Sequence, residues 1–360
     1  MILRWICRKC SRKWIYPIEK CVYCKNPVEK QKGTKLKVIG ITKVNVSSIS
    51  HPIVPYNVVL LEDEFGNRMP KKTMKEFKIG DEYFEEKAKT NDAVSVVKVK
   101  YDIYESVKHA IELLDNVEFG SGDKILIKPS IIAPAYPYQA VNTNPEVLDA
   151  LLKILFEFGV KKENIIIAEQ SLSGIDVFES AAKAGILDIC RKNEIKFVDI
   201  SEGPFEKIEI DGYAFKIFKE VLNRKIINVP IMKTNSEIVI SGAVENLSRL
   251  LEENADDMLG SLAKELDVFT IADATNGMQG QGPLNGEPAF LNLVFAGRNP
   301  SFIDAVFCEA FMLTQPKRDE LPKNIDEIEI VGDELSALKR KLKSPAENII
   351  SKRKELFSKV

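Results

Sequence analysis

Histidine is nearly absent, with two residues among 360. His51 sits beside Pro52, and His109 sits beside Lys108 on an amphipathic stretch where a surface role is the simplest reading. A multi-histidine catalytic metal site is thereby excluded, and a Ser-His-Asp triad has poor support. Long apolar runs are missing too: none reaches the roughly 18 residues a membrane-spanning helix needs. The opening Met-Ile-Leu-Arg-Trp-Ile-Cys lacks a basic segment followed by an apolar one, so a cytoplasmic, reducing location is expected. Cysteines are then thiols or metal ligands rather than disulfides. Net charge is small too, −2 from 51 basic against 53 acidic residues. That balance hides an asymmetry, because residues 1–37 hold 11 Lys or Arg against only Glu19 and Glu29. A local excess of this sign suits an anionic partner, or offsets metal-bound thiolates.

What the sequence does hold is a cysteine cluster. Four of its six cysteines fall in two CxxC pairs, Cys7-Arg8-Lys9-Cys10 and Cys21-Val22-Tyr23-Cys24. Each pair can fold as a knuckle that aims two sulfurs at one ion, and two knuckles complete a tetrahedral S4 site suited to zinc. A segment so short cannot bury a useful core, so the metal supplies its folding energy. Arg8, Lys9, Arg12, Lys13, Lys20 and Lys25 stabilise the thiolates. Iron in a rubredoxin-like site uses the same ligands and would make the protein a redox protein. Zinc is the preferred reading because nothing nearby resembles a redox partner. Residues 1–33 are thus expected to form a zinc ribbon.

Residues 34–92 read as all-β. Leu36–Thr42 and Tyr56–Leu61 are short β-prone runs, and Asp63–Asn67 and Ile79–Asp81 are turns. The order CRKC, CVYC, Pro27, GTKLKVIGIT, PIVPYNVVLLEDEFGNR and FKIGDEY resembles the acyl-CoA-associated zinc-ribbon and OB-fold family, domain of unknown function 35. The resemblance covers about the first quarter of the chain. It implies an OB-like β-barrel after the ribbon and an acyl-CoA-like ligand, an acyl thioester, for the module. The thiolase-like domain that accompanies this module in the family does not follow here. OB barrels also bind single-stranded nucleic acid through basic grooves and stacking aromatics. Trp5, Trp14, Tyr16 and Tyr23 lie among the basic residues, but packing of the little ribbon is their simpler role. A protein partner for the ribbon is the other use of its basic surface.

From residue 93 to 360 strands and helices alternate. Strand-like segments are Ser95–Val99, Lys124–Ile127, Asn164–Ala168, Lys196–Val198, Lys225–Val229, Asp267–Ala272 and Leu291–Ala296. Tyr104–Leu114 and Pro145–Phe158 have helical patterning. The alternation predicts an α/β domain with a mostly parallel sheet buried on both faces. Glu206–Phe218, with Asp211-Gly212 between alternating runs, reads as an added hairpin. Pro345–Val360 reads as a charged amphipathic helix, and Cys190 and Cys308 as buried structural thiols.

Ligands of open α/β sheets bind beyond the carboxyl ends of the strands. Lys128 follows KILI, Glu169 follows NIIIA, Lys233 follows KIINVPIM and Asp273 follows DVFTIA. Two lysines and two carboxylates at one edge can bind an anionic substrate and move protons, or hold a divalent cation such as magnesium. Polar residues also end strands merely because strands end in solvent. The placement of Lys128 and Lys233, each directly after an apolar segment and near proline, favours function. Asn142, Thr143 and Asn144 open a helix, with Asn144 as N-cap and Pro145 in first position. Such a terminus also offers free N–H groups to an anion. Ser130–Thr143 is long enough to act as a lid. Gly280 and Gly282 belong to a glycine cluster that reads by default as a turn, with backbone N–H groups able to cradle an anion.

The ordered set GDKILIKPS, TNPEVLDALLKILFEFGV, NIIIAEQS, INVPIMKTN, SGAVENL, IADATNGMQGQGPLNGEP and AGRNPSFIDAVFCEAF resembles the domain-of-unknown-function family 362. It covers most of residues 94–332 and implies an α/β fold. Thr234 and Asn246 lie in these segments and join the expected substrate-binding set. Where the family often reads Lys-Thr-His, this chain has Lys233-Thr234-Asn235; where it often reads Lys-Asn, this chain has Glu245-Asn246. Some relatives carry a ferredoxin-like insert for iron–sulfur clusters. With only Cys190 and Cys308 in this region, none is expected here. The expectation that results is a zinc protein acting as an enzyme on a small anionic substrate. A ligand-binding or nucleic-acid- and protein-binding scaffold without catalysis is the alternative.

Overall fold

A computed structural model describes residues 1–346 apart from 49–50, 101, 116, 211, 253–260, 263–264, 317–321 and 323. Most of the expected Pro345–Val360 helix, and Asp211 of the expected hairpin turn, therefore lie outside the described residues. The chain forms two compact units. One comprises Met1–Glu86, Lys100–Asp102 and Asp333–Arg340; the other comprises Lys87–Val99, Ile103–Gly332 and Lys341–Val360.

The first unit starts with β1 (Ile2–Cys7), β2 (Lys13–Trp14) and β3 (Val28–Gly33), an antiparallel sheet with β1 in the middle. Trp5 and Trp14 face each other across β1 and β2. They cover the cysteine cluster together with Ile18 and Val28. A second antiparallel sheet, in the order β6-β5-β4-β7, contains β4 (Leu36–Val44), β5 (Tyr56–Glu62), β6 (Arg68–Thr73) and β7 (Glu82–Tyr83). Alternate residues of β5 point inward, so Val59 and Leu61 meet Leu36, Val38 and Tyr83 in one small core. The sheet curls as half a barrel; among the described residues β6 and β7, its two edges, do not pair. Buried Lys71 holds Glu85 and Asp333, each at 3.1 Å, which anchors the returning segment Asp333–Arg340 to this unit.

The second unit is built on a mixed sheet, in the order β11-β10-β9-β14-β17-β18-β8-β19. Its first elements are β8 (Val94–Lys98), α1 (Ile103–Glu112), β9 (Ile125–Pro129), α2 (Pro145–Glu157) and β10 (Ile165–Glu169). They are followed by α3 (Val177–Lys183), α4 (Ile186–Asn193) and β11 (Lys196–Asp199). A hairpin of β12 (Phe205–Ile210) and β13 (Tyr213–Phe218) stands where one was expected. Then come β14 (Lys225–Val229), β15 (Ile231–Asn235), β16 (Val239–Ser241) and α5 (Ala243–Asn246). The last elements are β17 (Val268–Gln279), β18 (Glu287–Gly297), α6 (Pro300–Ala310) and β19 (Ile330–Gly332).

The apolar runs explain the layering. Along β9 and β10, Ile125, Ile127, Ile165 and Ile167 join the core under α1, α2 and α4. Their neighbours Leu126, Ile166 and Ala168 face the opposite core, with Phe218 of the hairpin and Val244 of α5. A strand buried on both faces needs a continuous apolar run rather than alternation, and ILI and IIIA supply it.

Parallel pairing holds from β11 through β10, β9 and β14 to β17. The expected parallel character stops at β18, which pairs antiparallel with both β17 and β8. The reason is the short glycine-rich connection Gly280–Gly286. A connection of that length closes a hairpin, whereas a parallel crossover needs a dozen residues or more. From β9 the chain first adds β10 and β11 on one side, then returns to add β14 and β17 on the other. The crevice at the carboxyl ends of β9 and β14 is therefore a topological switch point.

Candidate functional site

The four cysteines come together as their spacing implies. The two knuckles repeat one geometry. Ser11 N–H donates to the Cys7 carbonyl and Lys25 N–H to the Cys21 carbonyl, at 2.8 and 2.9 Å. Ser11 and Lys25 each take a left-handed conformation, with φ of 56° and 59°. The Cys7–Cys24, Cys10–Cys21 and Cys10–Cys24 sulfurs stand 3.3, 3.6 and 3.8 Å apart. All four sulfurs lie within 4.8 Å of one another. Tetrahedral bonds of about 2.3 Å to a common ion put thiolates ~3.8 Å apart, so this group can hold a metal ion. The thiols are electrostatically unequal. Burial pushes Cys7 up to about 11, while the Asn26 N–H draws Cys24 down to about 6. Among the described residues no other convergent group of three His, Cys, Asp or Glu side chains occurs.

At the switch point Lys128 and Glu169 form a salt bridge of 2.6 Å, both with 0% side-chain exposure. Lys128 Nζ also donates to the Pro129 carbonyl at 2.9 Å. The second oxygen of Glu169 accepts the Gln170 N–H, and the first also accepts that of Ile131. Burial drives the Lys128 pKa down and the Glu169 pKa up, while each partner's charge opposes the shift. Asn246 closes the network, donating to Asn228 Oδ1 at 2.8 Å and reaching Lys128 Nζ at 3.5 Å. Its helix α5 is held by Asp304, whose carboxylate accepts the N–H groups of Ala243 and Val244 at 2.6 and 3.2 Å.

The remaining expected site residues have separate partners. Lys233 lies inside β15 rather than beyond a strand, because Pro230 ends β14 and the chain resumes pairing at Ile231. Its ammonium is buried and donates to the Val141 carbonyl at 2.8 Å. Burial lowers its pKa to about 8, with the charges of Glu245 and Glu169 opposing. Asp273 falls in the middle of β17, which continues to Gln279 through a register shift at Ala274–Asn276. Its carboxylate accepts the Asn144 N–H at 2.8 Å and the Thr275 hydroxyl at 2.6 Å. Burial raises its pKa and these donors oppose the rise.

Asn144 caps α2 by accepting the Glu146 N–H. Thr143 Oγ1 accepts the Ser130 N–H and donates to the Val229 carbonyl, and Asn142 bonds Ile132 and Ala133. These bonds fasten the loop Ser130–Thr143 to the sheet edge. Thr234 Oγ1 donates to the Gly280 carbonyl at 2.9 Å, and a Cβ on Gly282 would strike the Thr234 carbonyl. The glycine cluster is the β17–β18 turn, packed against β15.

Beyond Glu169 the carboxyl ends of β10 and β11 open into a cavity of about 430 Å³. Gln170, Ser171, Ser173, Asp199, Ser248 and Arg249 are among the residues that line it. Sequence reasoning passed over all six. A Ser-x-Ser-Gly run after β10 is a signal of sorts; Arg249 gives none, because only the fold brings it there.

An α/β unit with a charged switch point, in one chain with four cysteines that can hold a metal ion, defines the class. The sequence pattern described as a domain of unknown function (DUF362) matches residues 125–309, and the chain belongs to this family. The thylakoid-associated protein sll1697 of Synechocystis sp. (strain ATCC 27184 / PCC 6803 / Kazusa) is 24% identical over 210 residues, covering 53% of this chain. The chain spans 64% of that relative's length. A solved chain of an Ltp2-ChsH2(DUF35) aldolase is similar at 17% identity and a TM-score of 0.20. The match covers 23% of this chain and 71% of that one. No helix among the described residues is long and apolar enough to cross a membrane.

Proposed function

We propose that this chain is a cytoplasmic enzyme that acts on a small anionic substrate at the carboxyl edge of its large sheet. The observation that carries this is the sealed Lys128–Glu169 pair at the switch point, with the buried Lys233, its pKa lowered to about 8, near enough to feel the charge of Glu169. Buried charges are costly, and strongly shifted groups concentrate where chemistry is done. Lys233 is the group best suited to take or give a proton near neutral pH. Asp273, Asn142, Thr143, Asn144, Thr234, Gly280 and Gly282 hold the edge in shape through the bonds described.

Zinc is the metal we assign to Cys7, Cys10, Cys21 and Cys24, since four thiolates in closed tetrahedral array suit a structural zinc. We read the curled sheet of β4 to β7 as the half-barrel of an OB-like module that carries an acyl-CoA-like ligand. The test is a thermal-shift panel of acyl-CoA thioesters, phosphate esters and organic acids on the full chain, with and without magnesium. A true ligand at 100 times its Kd stabilises by about 2.7 kcal/mol. Silence throughout the panel removes the enzyme reading and leaves the scaffold. One iron rather than one zinc per chain makes the ribbon a redox centre.

A further inference from the structure

Arg249 stands in the cavity wall. Its Nε is buried and has no hydrogen-bond partner among the described residues, and none of their carboxylates pairs with it. The two acidic residues among those lining the wall have other partners: Asp199 Oδ1 accepts both the N–H and hydroxyl of Ser201, and Glu252 pairs with Lys216. Arg249 as a whole is only half-buried, but its Nε has lost water without gaining a partner, a cost that a bound anion would offset.

The arginine is held in place. Gln170, which directly follows Glu169, donates through Nε2 to the carbonyls of Arg249 and Leu251, both at 3.0 Å. That clamp fixes the Ser248–Leu251 segment across the mouth of β10. The walls add the hydroxyls of Ser173 and Ser248, and Asp199 has a second carboxylate oxygen besides the one that Ser201 occupies. A volume of about 430 Å³ falls within the range of small-molecule sites. Most such sites are largely apolar, however, whereas this wall is mainly polar, so it suits a hydrophilic occupant.

We propose that this cavity binds a small, hydroxyl-bearing phosphate ester, with Arg249 and the Ser173 and Ser248 hydroxyls on the phosphoryl group and Asp199 accepting from a hydroxyl of the ligand. A guanidinium fork plus two hydroxyl donors matches three terminal oxygens better than the two of a carboxylate. The proposal rests on the reading of this sheet edge as a substrate site and names the substrate's class.

Isothermal titration of the full chain with ribose 5-phosphate, glycerol 3-phosphate, inorganic phosphate and malate tests it. The two esters bind, and bind more tightly than phosphate or malate. Arg249→Gln weakens the esters by roughly tenfold to a hundredfold, the loss of one charge-assisted contact. Arg249→Lys retains part of the affinity. Ser248→Ala, a milder change, weakens them several-fold and serves should Arg249→Gln fail to fold. Esters that bind equally well to both variants overturn the site. Malate bound as tightly as the esters overturns the phosphate class. Ligands lost on Lys233→Met but indifferent to Arg249 and Ser248 sink this proposal and leave the enzyme reading standing; no binding of any compound sinks both.

Discussion

Replacing Glu169 with alanine should be among the most damaging single changes available in the second unit. The carboxylate it removes is the counter-ion of Lys128 at 2.6 Å, and both groups are fully buried. After the change Lys128 Nζ keeps the Pro129 carbonyl at 2.9 Å and a long contact to Asn246 at 3.5 Å, with only the more distant charge of Glu245 of opposite sign. The N–H groups of Ile131 and Gln170 also lose their acceptors. Stranding one member of a buried pair costs about 3–5 kcal/mol. For a domain of this size each kcal/mol lowers Tm by roughly 2–4 °C, so a fall of roughly 6–20 °C is expected. Lys128→Met combined with Glu169→Leu removes both charges and should be milder than Glu169→Ala. The double-mutant cycle should then show a coupling of about 2 kcal/mol or more. Urea denaturation at pH 7 followed by far-UV circular dichroism measures the four corners of that cycle, wild type, Lys128→Met, Glu169→Leu and the double variant, together with Glu169→Ala. A Glu169→Ala loss below about 1 kcal/mol, or a double variant worse than the single, would refute the claim that desolvation dominates here.

Three further outcomes follow from the same physics. Lys233 has its pKa lowered from 10.5 to about 8 by burial, so the folded state pays for its charge in full below pH 8 and not at all above 10.5. Lys233→Met should therefore exceed the wild type in stability by up to about 3 kcal/mol at pH 7, the advantage vanishing as pH rises toward 10.5; a flat difference across that window contradicts it. The chain's only tryptophans, Trp5 and Trp14, pack against the cysteine cluster, so their fluorescence reports the ribbon alone. Chelation or Cys21→Ser should red-shift that emission while the far-UV signal of the second unit persists, and unchanged emission after complete metal loss would argue against a metal-dependent ribbon. Asp304→Ala uncaps two buried N–H groups of α5 and should cost about 1–3 kcal/mol; a urea midpoint equal to wild type would show that α5 is held otherwise.

Much of the architecture was legible because it depends on local pattern. The CxxC spacing brings four sulfurs together through the turn geometry of each knuckle, a property of a few consecutive residues. The runs ILI and III announce strands covered on both faces, since only such strands exclude polar residues from both sides. The direction of β18 was not legible in the same way. It is set by the length of its connection to β17, and that length was hidden while β17 was expected to stop at Ala272. The strand continues because Asp273, Thr275 and Asn144 satisfy one another internally. A polar residue in a sequence marks a strand end only if its partners are water.

The same distinction separates the two halves of the candidate site. Lys128 and Glu169 are visible in sequence as charges after apolar strands, yet whether such charges open to solvent or close on each other depends on the partner strand. Here β9 and β10 run parallel in a register that pairs Ile125, Leu126 and Ile127 with Ile165, Ile166 and Ile167. That register brings the two side chains together beneath the surface. What opens to solvent is the next layer, Gln170 to Ser173, facing a segment nearly 80 residues further along that carries Arg249. Charge stored below and donors arranged above give the candidate edge two depths. Only the deeper one can be read from strand ends, because the upper one is assembled from loops whose meeting is decided by the topology of the sheet.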